Sequence, residues 1–167
     1  MSKIVEVARS FLGQMEKPAN SGFVDPVFEK KMQGVGFYKS APWCGFLCRL
    51  VWTEAGQSLF HDLNGRKRAI VTSSAVKSMK AASQCERWEA VPQIGSVAIW
   101  RNFVNGVPQS TGHMGIVVAV SADSFTTVEG NTNAAGGREG NTVAEKIRSY
   151  SWNRKDGLRL MGFITLE

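Results

Sequence analysis

"APWCGFLCRLVW", residues 41–52, holds two of the chain's three cysteines, four residues apart, just after a proline and a tryptophan. Phe46, Leu47, Leu50 and Val51 fall at helical spacing, so the segment reads as a helix running from near Trp43 to Gly56. Three kinds of protein could contain it: one with a reactive thiol, one with half of a metal site, and one whose cysteines only pack. Position along the helix separates the two thiols. Cys44 falls in the first turn, where unsatisfied N–H groups and the positive end of the helix dipole stabilise a thiolate. Cys48, one turn deeper, lacks that help and reads as core.

Before this helix the pattern is helical. Ile4, Val7, Ala8, Phe11 and Leu12 predict a helix over 3–15 ended by Gly13, and a weaker one covers 24–33 with Pro26 in its first turn. After it, residues 72–82 form a short helix with Ser and Thr as capping candidates. From "VPQIGSVAIW", residues 91–100, the period becomes two or the run is continuously apolar. Strands are expected at 95–101, 113–120, 124–130, 143–150 and 158–166, with a long, mobile, glycine-rich loop at 131–141. Helices first and meandering strands afterwards define an α+β fold: N-terminal helices packed on a C-terminal antiparallel sheet of about five strands, in one domain over 1–167.

Composition narrows the function classes. The 167 residues are 43% hydrophobic and 20% charged, ordinary for a chain that buries a core without staples. No apolar run approaches the ~20 residues needed to span a bilayer, so stable membrane insertion is not expected. Glu6 interrupts what would be the apolar part of a signal peptide. The expectation is a protein made in the cytoplasm that acts elsewhere only after delivery by another route. Three cysteines make an odd number for a disulfide framework. The net charge of +6 is scattered apart from "GRKR" at 65–68, with no interleaved aromatics, so a nucleic-acid partner is not expected.

The two histidines differ. His61 stands beside Asp62 in an expected loop, as a surface group. His113 opens an apolar strand between Gly112 and Gly115, where other backbone or a ligand can come close; by itself it reads equally as a structural histidine. The short connection "VSADSF" implies a hairpin between strands 113–120 and 124–130. A turn about Ala122 sets His113 opposite Asn131 and puts Glu129 diagonally beside it on the same face. An imidazole with a carboxylate and an amide beside it is equipped to hold one tautomer and to stabilise its charged form. A metal site is not favoured, since structural zinc takes four ligands and Cys85 and the histidines lie at irregular spacing. A cysteine, a distant histidine and an acid further on suit papain-like thiol hydrolysis, in which the partners meet in space.

"PWCGFLCRLVWTEAG", "VPQIGSVAIW", "TGHMGIVVAV" and "FTTVEGNTN" resemble, in order and spacing, the CHAP domains, cysteine- and histidine-dependent amidohydrolase/peptidases related to the NlpC-type peptidases of the papain-like superfold. The resemblance runs from "LGQMEKPANSG" to "LMGFITL". It implies Cys44 as nucleophile, His113 as base, Glu129 as the acid orienting the histidine, and Asn131 as an assisting amide. It also implies a peptidoglycan hydrolase, either an N-acetylmuramoyl-L-alanine amidase or a stem or cross-bridge endopeptidase, working without cofactor or metal. Trp43 and Trp100 are candidate substrate contacts. The expected partner is bacterial peptidoglycan, met by a monomer, with a delivery or immunity protein as a further partner. A thiol protease or acyltransferase on another substrate, or an idle binding module on the same fold, are the alternatives.

Overall fold

The computed structural model describes residues 2–132 and 140–166. Three helices come first, α1 (Lys3–Ser10), α2 (Pro26–Gly34) and α3 (Cys44–Glu54), then the strands β1 (Phe60–Leu63) and β2 (Arg66–Ala69), and α4 (Ala75–Ser83). The rest is β3 (Trp88–Glu89), β4 (Val97–Val104), β5 (Val107–Val120), β6 (Ser124–Thr132), β7 (Thr142–Ser149) and β8 (Gly157–Ile164). These six strands form one antiparallel sheet in the order β3-β8-β4-β5-β6-β7, and β1 pairs with β2 separately. The α+β class is as expected. The main sheet has one strand more than expected, because β3 is only two residues long and too short to show a period. No helix among the described residues is long and apolar enough to cross a membrane.

Local chemistry accounts for the helix ends. Asp25 caps α2 by accepting the N–H groups of Val27 and Phe28 at 2.8 and 3.3 Å, with Pro26 at the first helical position. Ser74 caps α4. The first helix stops at Ser10, short of the expected end at Gly13, and Met15 and Glu16 beyond it bridge Thr142 and Phe23. Eight of the eleven residues of α3 are buried, so the apolar stripe expected from sequence is too narrow a description. A helix apolar on nearly all sides must be enclosed; here α1 and α2 lie on one side and β5 and β6 on the other.

Two tight turns correct the sequence reading. Asn64–Gly65 has φ of 53° and 77°, and Asn105–Gly106 has 51° and 77°. Two successive positive φ values join antiparallel strands with the right twist, and Asn-Gly adopts them cheaply. Residues 102–112, which lie between the strands expected at 95–101 and 113–120, are therefore strand apart from this two-residue turn. His61, also expected in a loop, lies on β1 opposite Arg68. Of the expected loop 131–141, Asn131 and Thr132 end β6, and residues 133–139 lie outside the described residues.

The sheet buries both faces. Val97, Ile99, Met114, Ile116 and Val128 pack with the helices in the larger core. Ala98, Trp100, Val117, Phe125, Leu160 and Phe163, alternating with them, make a second cluster closed by Tyr150 and Trp152. The β5–β6 pairing has the expected register near the site, with Ile116 opposite Val128 and Val117 opposite Thr127, and slips by one residue towards the turn.

Candidate active site

The first turn of α3 carries Cys44, 6% exposed, with Trp43 in the N-cap position. Gly45 allows this placement: a Cβ there would come within 2.7 Å of the Ser73 backbone, so only glycine lets the helix start lie against the chain leading into α4. Across from it, β5 and β6 present His113 and Glu129. Gly115 makes room for the acid, since a Cβ on it would lie 2.6 Å from Cγ of Glu129.

His113 and Glu129 are 1% and 0% exposed, and Nε2 of the imidazole lies 2.7 Å from Oε2 of the carboxylate. Burial alone would raise the Glu129 pKa, but the charge and hydrogen bond of His113, with those of Arg148, bring it down to about 2. An ionised carboxylate can only accept, so Nε2 carries the hydrogen and Nδ1 is the basic nitrogen. Nδ1 is buried and receives no hydrogen bond of full geometry. With Nε2 taken by Glu129, the coupling between the imidazole and the Cys44 thiol runs through Nδ1. Catalytic hydrogen bonds are commonly long before substrate binds.

Charge on these groups follows from their neighbours. Burial disfavours imidazolium, but Glu129 and Cys44 outweigh it and raise the His113 pKa to about 9. Burial also opposes a Cys44 thiolate, yet His113 and the N–H groups of Met114 and Gly45 hold the thiol below its ordinary value. Cys48, equally buried, is pushed well above the usual thiol range by desolvation and by the charges of Cys44 and Glu129. All three cysteines are free and buried, Cys85 among them.

Asn131 is 7% exposed with φ of 56°, at the point where the β6–β7 ladder shifts register. Asparagine tolerates that left-handed conformation. A cleft of about 240 Å³ is lined by Cys44, His113 and Asn131 and walled by Tyr38, Ser73 and Thr111. The structure thus brings together the four residues singled out in the sequence. Trp43 and Trp100 correct the expectation of substrate contact. They are 0% and 2% exposed and do not line the cleft. Trp43 packs edge-on to Phe23 at 5.0 Å, and Trp100 stacks on Phe125 at 6.0 Å, because bulky rings beside the site lie under its walls. Tyr38, 66% exposed, is the aromatic at the cleft that solvent reaches.

Sequence reasoning missed two contacts to Glu129. The Thr127 hydroxyl donates to Oε1 at 2.5 Å. Arg148 donates from Nε to Oε1 at 2.7 Å and from Nη2 to Oε2. Thr127 could have been found from the alternation of β6, which puts it on the face of Glu129. Arg148 had no such signal, since it stands on a different strand, 19 residues along the chain from Glu129.

A thiol at a helix start, coupled to an imidazole backed by a buried carboxylate, defines the arrangement of a thiol hydrolase. The family model of the CHAP domain matches residues 36–131, more than half of the chain and the span that holds all four residues, and the chain belongs to the CHAP-domain family. Amidase-type hydrolysis of peptidoglycan is the general activity of that family. No curated protein and no solved structure matches the chain.

Proposed function

We propose that this protein is a cysteine-dependent hydrolase of peptidoglycan amide bonds, with Cys44 as nucleophile, His113 as general base and acid, Glu129 as the group that orients His113, and Asn131 as an assisting amide. The observation that carries the reading is the placement of His113 between Glu129 at 2.7 Å and the Cys44 thiol at the mouth of an open cleft.

The thiolate attacks the amide carbonyl, and carbon–sulfur bond formation leaves a tetrahedral oxyanion. The N–H of Cys44, at the first helical position and without an intrahelical acceptor, is the donor for that oxygen. Imidazolium gives its Nδ1 proton to the leaving amine as the C–N bond breaks, leaving a thioester. Nδ1 then takes a proton from water, whose oxygen attacks the thioester; the carbon–sulfur bond breaks, releasing the carboxylic acid and restoring the Cys44 thiolate beside the His113 imidazolium. Tyr38 is the aromatic that packs against bound substrate. The basic surface favours an anionic wall polymer.

Incubation with purified peptidoglycan, followed by mass spectrometry of the soluble products, tests substrate and bond together. New amino termini on stem or cross-bridge peptides mark an endopeptidase, and free stem peptides mark an amidase. Equal product release by the wild type and Cys44→Ala overturns the reading.

A further inference from the structure

Arg148 stands on β7, beyond the span matched by the family model. Its side chain is 20% exposed, and its guanidinium sits over the Trp100 ring at 5.2 Å from the centroid. That ring is 5.9 Å from the imidazole of His113. The guanidinium is thus held between an aromatic face and a carboxylate, and loses little freedom in making two parallel bonds. Oε1 of Glu129 receives Thr127 and Nε of Arg148, while Oε2 receives His113 and Nη2 of Arg148. Two donors reach each oxygen, and half of them come from this one side chain.

We propose that Arg148 is a positioning residue for the His113–Glu129 pair, holding the Glu129 carboxylate ionised and in line with Nε2 through the whole reaction cycle. In the acyl-transfer reading, on which this inference rests for turnover, His113 alternates between imidazolium and neutral imidazole. Each time the proton leaves, Glu129 loses the cation it was paired with, while its exposure stays at 0%. A buried carboxylate without a counter-charge takes up a proton or turns away. The Arg148 guanidinium bonds to both carboxylate oxygens through groups that the imidazole proton does not use, so the carboxylate keeps a cationic partner when that proton leaves. Lysine would supply the charge without the two-pronged geometry.

The structure also offers a route for replacing the side chain. A second cavity, of about 640 Å³, is lined by Arg148 with Trp100, Asn102, Ser149 and Arg154, and shares no lining residue with the catalytic cleft.

The test compares the wild type, Arg148→Ala and Arg148→Lys in three measurements: peptidoglycan turnover, Cys44 alkylation by iodoacetamide against pH, and the NMR titration of His113. In Arg148→Ala, kcat falls roughly 10- to 100-fold with KM held within about twofold. The imidazole titration moves down from about 9 towards 6.5, and Cys44 alkylation moves to higher pH. Arg148→Lys falls between. Millimolar guanidinium restores Arg148→Ala, whereas sodium at the same ionic strength does not. A folded Arg148→Ala protein with wild-type kcat, alkylation profile and titration overturns the proposal, as does a loss that follows only the fraction unfolded in a thermal melt. If Arg148→Ala does not fold, Arg148→Gln is measured in the same way, and the lysine variant, which keeps the charge, carries the comparison if neither does. Shifted alkylation and titration in a protein whose wild type releases no muropeptides would reject the substrate and leave the role of Arg148 standing.

Discussion

Cys44 and Cys48 lie one turn apart on the same helix, both free and both shielded from solvent, yet their thiols move in opposite directions. Desolvation is the largest influence on each and opposes the thiolate in both. Cys44 offsets it with the imidazole of His113 and two backbone N–H groups. Cys48 meets further negative charge, from Cys44 and Glu129, which its own backbone N–H does not outweigh. Burial therefore does not decide reactivity here; what decides it is which dipoles and charges share the buried space.

The most direct way to break that comparison is to exchange the losses. Cys44→Ala should lower muropeptide release by roughly 10⁴-fold or more, since the nucleophile itself is removed. Cys48→Ala should keep turnover close to the wild type and cost about 1 kcal/mol in thermal unfolding. In the wild type, iodoacetamide near pH 7 should label Cys44 far faster than Cys48, as read by peptide mapping.

Glu129→Gln reaches the same contrast from the other side. It removes the charge that favours imidazolium and leaves Arg148 without its carboxylate, so kcat should fall on the order of 10²- to 10⁴-fold. Cys44 alkylation should then need a higher pH.

The pH profile follows from the same groups, which titrate as a coupled set. Activity should decline above about 9 as the imidazolium is lost, by about tenfold per unit once it is mostly neutral. Stability carries matching signs. The raised His113 pKa contributes stability fully present below 6.5 and lost as pH rises through about 9. The depressed Glu129 pKa contributes stability present above 4.5 and lost as pH falls through about 2. Thermal melts across pH measure both, and the alkaline loss should disappear in His113→Ala.

Two smaller changes sharpen the picture. Gly115→Ala puts a methyl 2.6 Å from Cγ of Glu129, and because the acid is enclosed it must shift. A shift of that kind should lower kcat by roughly 10- to 100-fold while the chain still folds. Tyr38→Ala, at the exposed wall of the cleft, should raise KM about 3- to 10-fold with kcat unchanged, removing one aromatic contact.

Much of this was legible from local pattern. The helix carrying Cys44, the shared face of His113 and Glu129, and the hairpin that joins them all depend on periods of 3.6 and 2 and on one short turn. The Asn-Gly pairs at 64–65 and 105–106 were a plain signal for two more hairpins, and ending one strand at 101 and starting the next at 113 passed over one of them. The aromatic side chains were harder. Trp43 beside the thiol and Trp100 on the first long strand have the chemistry of substrate contacts, and Tyr38 does not stand out from its loop. Exposure alone reverses their order.

The sequence by itself determined which groups could react, because a thiol at a helix start and an imidazole, carboxylate and amide on paired strands follow from spacings of a few residues. Only the tertiary structure decided how those groups are charged and which surface meets substrate. Arg148 reaches Glu129 from β7, two strands over from His113, and Ser73 closes the cleft from the start of α4. Such contacts depend on how the sheet and helices close on one another, and that closure leaves no period in the chain.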